Sequence, residues 1–126
     1  MILPDVNVLL YAFRSWLDAG LVVAGSSDAP VISADPLTGI RDAVARRTDA
    51  GRLLGPGECL TPAQALALYT RNAAYAMHRE HEVGSLEPGK LADLTVLDRN
   101  PLTADLAEVK VIATLSSGTP TFGALS

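Results

Sequence analysis

Asp28 lies in the tract Gly25-Ser26-Ser27-Asp28-Ala29-Pro30, directly after the apolar run Leu21-Val22-Val23-Ala24. A carboxylate on a tight turn at the end of a buried strand can hold a divalent metal and take a proton from metal-bound water. The carboxyl ends of strands are where α/β folds collect such groups. Asp28 is therefore the candidate catalytic and metal-binding residue. One carboxylate does not complete a zinc site, which takes about three protein ligands plus water. The same tract also reads as an ordinary turn in which Asp28 accepts backbone N–H bonds.

The other chemistry-bearing side chains point to less. His78 and His81 are flanked by Glu80 and Glu82, but His-Arg-Glu-His lacks the His-Glu-x-x-His spacing of a zinc-binding helix. A solvated, charged helix end is the reading. Ser26 and Ser27 stand outside any Gly-x-Ser-x-Gly elbow and read as turn hydroxyls bonding to backbone. Cys59 is the single cysteine, which excludes an internal disulfide and a thiolate metal cluster; it reads as a packing or surface thiol. Gly84 and Gly89 make no phosphate loop, because no Gly-Lys-Ser/Thr follows. Lys90 reads as a turn lysine. Arg41, Arg46, Arg47 and Arg52 form a local basic face directed towards solvent.

The elements that would position Asp28 follow from pattern. Ile2 to Leu10 reads as a short strand running into Leu9–Phe13, which is strand or helix by length alone. Trp16 to Gly20 looks like a helix end stopped by glycine at the C′ position. Leu21 to Ala24 is a buried strand. Asp35-Pro36 opens a helix, with a capping acceptor followed by proline at the first helical position, and Leu37, Ile40 and Val44 form its apolar stripe. Gly51 to Gly57 is a loop. Thr61-Pro62-Ala63-Gln64 matches a capping box, and the helix it starts runs through about His78 with Leu66, Tyr69, Ala73 and Met77 as its buried face. Beyond Pro88-Gly89, Leu91 to Leu97 and Lys110 to Leu115 read as strands. Ser116-Ser117-Gly118 is a tight turn into a third strand at Thr119 to Phe122.

The chain has 126 residues, 48% hydrophobic and 19% charged. That is enough for one domain with a packed core, which buries about two-thirds of its unfolded surface. A net charge of −4 disfavours non-specific binding to nucleic acid or to an anionic membrane. No apolar run approaches the roughly 18 residues of a membrane span. The N-terminus has no basic stretch of a signal peptide, and a cytoplasmic location is expected.

From about Trp16 to Phe122 the chain resembles the C-terminal portion of the amidohydrolase superfamily, in the subgroup called amidohydrolase family 3. The stretches that carry the likeness are Ala24–Val31, Asp35-Pro-Leu-Thr-Gly-Ile40, Leu60-Thr-Pro-Ala-Gln-Ala-Leu66, Tyr69-Thr-Arg-Asn-Ala-Ala-Tyr75 and Gly84-Ser-Leu-Glu-Pro-Gly-Lys-Leu-Ala-Asp93. The resemblance implies an α/β fold derived from a distorted (β/α)8 barrel with a small β domain. It implies hydrolysis of amide or other C–N bonds in small molecules at a centre of zinc or a similar divalent metal. By the match, Leu21–Ala24 would be the last barrel strand, Asp28 its metal-binding general base, and residues 110–122 strands of the β domain.

The family's His-x-His on the first strand, its carboxylated lysine or acid and its two further histidines have no counterpart here, since His78 and His81 both follow Asp28. A full barrel takes roughly 250 residues. The sequence therefore implies a partial barrel, inactive on its own and without its metal, with residues 15–83 as the barrel's end and 84–126 as β-domain strands. A lone last strand leaves apolar surfaces uncovered, so self-association, or completion of a barrel supplied by another chain, is also expected. Residues 1–14 resemble the opening of PIN-domain toxin ribonucleases, in which an acid at the position of Asp5 helps bind magnesium or manganese. That likeness implies, as an alternative, a metal-dependent ribonuclease fragment.

Overall fold

The computed structural model describes residues 6–31, 33–48 and 50–123, with only the backbone described for 6–11. The order is helix α1 (Val6–Asp18), helix α2 (Pro36–Ala45), a 3-10 turn (Pro56–Glu58), helices α3 (Pro62–Tyr69) and α4 (Arg71–Ala76), then strands β1 (Leu94–Leu97), β2 (Val111–Ser116) and β3 (Thr119–Gly123). Helices precede a three-stranded antiparallel sheet of order β1-β2-β3.

The strand expected over residues 2–10 is corrected where it is described, because Val6 onwards is helix. The periodicity of a short apolar run does not separate the two states. The end of this helix matches expectation in detail. Gly20 takes φ +79, its N–H donates to the Leu17 carbonyl, and the Leu21 N–H donates to Trp16. This pair of bonds is the Schellman arrangement, which needs a left-handed residue at C′.

Helix α2 starts as its cap dictates, with the Asp35 carboxylate accepting from Leu37 N–H at 3.0 Å. Its inner face is Ile40 and Ala43, flanked by half-buried Leu37 and Val44. The helix closes at Arg46, which adopts φ +46 and is only 3% exposed. This corrects the solvent-facing reading of Arg46. The left-handed cap turns its side chain inward, where Nε donates to the Leu54 carbonyl at 2.8 Å. Arg47 stays exposed and donates to the Gly51 carbonyl.

The capping box of Thr61 and Gln64 forms in both directions, at 3.2 and 3.0 Å. The single helix expected through His78 is broken at Thr70, whose φ −121 and ψ −101 lie outside the helical region. The buried residues are Ala65, Ala67 and Leu68 before the break and Ala74 after it, and Met77 is left 58% exposed. Beyond it, Gly84 at φ +92 packs so closely on α4 that a Cβ would stand 2.5 Å from the Ala74 Cβ.

The β segment follows the expected pattern. Ser117 and Gly118 both take positive φ, +48 and +80, the combination of a type I′ hairpin turn. That turn docks on the preceding tract, since the Asp93 carboxylate accepts from Ser117 N–H at 2.7 Å and the Ala92 carbonyl from Gly118 N–H. Leu97, Leu106 and Val109 tie the sheet and its connection to the core built around Val23, Ile40 and Leu68.

Candidate functional site

The segment carrying Asp28 is fixed from below. Val23 and Ala24 are buried, as a core strand requires. The strand expected over Leu21–Ala24 is corrected to a single bridge residue at Val23, with no ladder among the described residues, and a helix corner supplies further hydrogen bonds. Gly25 N–H donates to the Leu68 carbonyl at 2.9 Å, and Asn72 Nδ2 donates to the Val23 carbonyl at 2.9 Å. The junction of α3 and α4 therefore holds residues 23–25 from both sides of Tyr69. Buried carbonyls left without such donors would cost about 1–3 kcal/mol each.

Beyond Gly25 the chain turns outward. Asp28 takes φ +50, a left-handed conformation that aspartate tolerates better than most residues. Its N–H donates to Ser26 Oγ at 3.3 Å, and its carbonyl accepts from Val31 N–H at 2.9 Å. The Asp28 side chain is exposed. Ser26 thus serves the backbone of the turn, as its reading as a turn hydroxyl anticipates.

The metal-centre reading meets a clear limit. Among the described residues, no three His, Cys, Asp or Glu side chains gather closely enough to hold a metal ion. His81 is 88% exposed, 3.7 Å from the Glu80 carboxylate, and His78 is an exposed residue at φ +57. Both belong to a solvated helix end. Asp5, the acid of the ribonuclease-like opening, lies outside the described residues. An exposed carboxylate without a companion donor does not fit a zinc centre, which needs about three protein ligands.

Two side chains do more than the sequence foretold. Lys90, in the Gly84–Asp93 tract, is largely buried; its Nζ donates to the Glu80 carbonyl and to Ser85 Oγ, both at 2.6 Å, and pairs with Glu87 at 3.3 Å. It ties the turn at Glu80, beyond α4, to the Gly84–Asp93 tract. Tyr69 is half-buried beside the Asp28 segment, and burial, with the Asp42 carboxylate nearby, raises its phenol above the ordinary value of 10.0. Asn72 and Tyr69 both lie within the Tyr69–Tyr75 tract that carries the family likeness. The likeness marked the tract without saying what its side chains do.

Helices packed under an outward turn, followed by a small antiparallel sheet, match a known family. The amidohydrolase family profile matches residues 4–122, and the chain belongs to that family. The match begins before Arg14, so it takes in most of the stretch that resembles PIN ribonucleases, and nothing in the comparisons supports the ribonuclease alternative. Among similar proteins, an N-substituted formamide deformylase of Arthrobacter pascens is 45% identical over 115 residues, 89% of this chain and 21% of that protein. A putative amidohydrolase of Bacillus subtilis is 34% identical over 105 residues, 81% of this chain and 20% of its own length. A crystal structure of an amidohydrolase from Thermotoga maritima superposes with a TM-score of 0.68 at 24% identity, covering 89% of this chain and 26% of that one. This likeness establishes a shared fold. The chain spans about a fifth of the length of the two relatives.

Proposed function

We propose that this chain is a segment of a metal-dependent amidohydrolase whose parent fold hydrolyses C–N bonds of small, non-peptide amides, and that Asp28 is its contribution to the catalytic centre. The observation that carries this is the family match over 4–122 together with an exposed carboxylate turned out from a buried, clamped segment. The name of the Arthrobacter relative, a deformylase of N-substituted formamides, supports an amide as the substrate class. In this reading Leu21–Ala24 corresponds to the last strand of a (β/α)8 barrel, residues 15–83 to its end and 84–126 to strands of a β domain.

The described donors do not make a metal centre. We therefore infer that the 126 residues hydrolyse no amide unaided, and that the remaining ligands come from outside this stretch. Assaying the purified chain with added zinc on N-substituted formamides should show no turnover above buffer. Zinc-dependent turnover that is abolished in Asp28→Asn would contradict this. A cytoplasmic location, consistent with the single cysteine, belongs to the same reading.

Association with a second copy is a further part of the proposal, supported by the sheet. Phe122 pairs with Thr114, and Ile112 is the extra residue of the bulge at which Val96 pairs with Ala113 and Leu97 with Val111. Phe122 is 58% and Ile112 48% exposed, and apolar side chains left uncovered on a small sheet favour association.

A further inference from the structure

Gly39 sits inside α2, where glycine is less favourable than alanine. It takes no positive φ that would explain it. Gly25, on the segment leading to Asp28, is likewise outside the left-handed region. The two glycines face one side chain. A Cβ on Gly25 would stand 2.6 Å from both Cε2 and Cζ of Tyr69, and a Cβ on Gly39 would meet the Tyr69 hydroxyl first and then Cζ at 2.7 Å. Real Cβ atoms do not approach that closely, so the phenol ring fills the space between the Asp28 segment and α2 that side chains at both positions would otherwise take.

We propose that Tyr69 is the positioning residue of the Asp28 turn: its ring is the spacer that sets the distance between residues 24–28 and α2, and Gly25 and Gly39 are glycine in order to admit it. The importance of this for catalysis rests on the reading of Asp28 given above; the mechanical claim does not. The ring works with two hydrogen bonds at its own corner, from Gly25 N–H to the Leu68 carbonyl and from Asn72 Nδ2 to the Val23 carbonyl, so these bonds tie the segment to the corner while the ring props it off α2. Removing the ring leaves the bonds to a segment free to move towards α2. Enlarging either glycine pushes the ring out and the segment away.

The test uses the full chain and amide hydrogen exchange with backbone chemical shifts. Tyr69→Leu should accelerate exchange of the Gly25 amide about tenfold and shift Gly25–Val31, while amides of β2 keep their rates, because the opening is local rather than global. Tyr69→Phe keeps the ring and should restore the wild-type pattern. Gly39→Ala, a substitution that ordinarily favours a helix, should reproduce the shifts at Gly25–Val31 and lower the melting temperature; it serves equally if Tyr69→Leu does not fold. Unchanged shifts at Gly25–Val31 in both variants, or equal acceleration of every amide, would overturn the proposal. Loss of the proposed catalytic role of Asp28 in an activity assay would leave these measurements untouched, so the two readings fail separately.

Discussion

At Asp28 a left-handed backbone, with hydrogen bonds to Ser26 Oγ and from Val31 N–H, turns an exposed carboxylate out of the chain. The acid, the glycine and the serine before it were enough to place a tight outward turn in the sequence, because each acts through short-range backbone chemistry. Whether other ligands stand near the carboxylate depends on long-range packing, which no local pattern encodes. Arg46 departs from its sequence pattern for a related reason: the apolar stripe of α2 predicts which side chains face inward along a helix, but Arg46 lies just past its end, at a left-handed cap that redirects it. Tyr69 supports a prediction in alkali. Its folded-state phenol titrates above the ordinary value of 10.0, so the unfolded chain loses that proton first and stability falls as pH rises above about 10. Denaturant midpoints across alkaline pH should show that fall, and Tyr69→Phe should reduce it. Gly84→Ala is expected to destabilise by about 1–3 kcal/mol, since its left-handed φ and its approach to Ala74 admit no Cβ. Urea unfolding measures it, and a loss under half a kilocalorie would show that α4 yields easily.

At the scale of elements, legibility followed the caps. Asp35-Pro36, Thr61 with Gln64, and Gly20 each carry their instruction within four residues, and each formed as expected. Thr61→Ala should therefore cost about 1 kcal/mol, read from urea denaturation, with Thr61→Ser retaining most of the stability. The break at Thr70 carries no glycine or proline and was invisible. The packing of Leu68, Tyr69 and Asn72 against residues 23–25 accompanies it, and that is a tertiary contact. Helix α1 was ambiguous because its register is decided by where it docks. It docks on the 3-10 turn, where the Glu58 carboxylate accepts from Ser15 N–H at 3.0 Å and from the Ser15 hydroxyl. These bonds from Ser15, the hydroxyl first, hold Glu58 below the usual carboxylate range, with Arg46 adding a smaller attraction. A lowered carboxylate contributes fully above its ordinary value near 4.5 and loses that contribution as pH falls through the folded value. Trp16, the chain's single tryptophan, sits next to Ser15 and packs against the core. Its fluorescence should change on acidification below about pH 4.5, and Glu58→Gln should remove that pH dependence. An unchanged acid response in the variant would assign the signal to other carboxylates.

At the scale of the molecule, the order of motifs identified the family although no single stretch was decisive. Five tracts spread over the chain fall on five structural jobs: the Asp28 turn, the cap of α2, the cap of α3, the clamp at Tyr69–Asn72 and the clasp of Lys90 with its following turn. The whole is a helical layer and a small sheet sharing one core, with Ile112 and Phe122 exposed on the sheet. Sedimentation should show association that grows with concentration, reduced in an Ile112→Thr, Phe122→Thr double variant. A monomer at every concentration would remove that part of the reading.

Equilibrium dialysis of the folded chain against micromolar zinc, with metal counted per chain, tests most directly the proposal that Asp28 belongs to a metal site that these residues do not complete. The expected result is no stoichiometric zinc and no difference between the wild type and Asp28→Asn. About one tightly held zinc per chain, lost in Asp28→Asn, would contradict it.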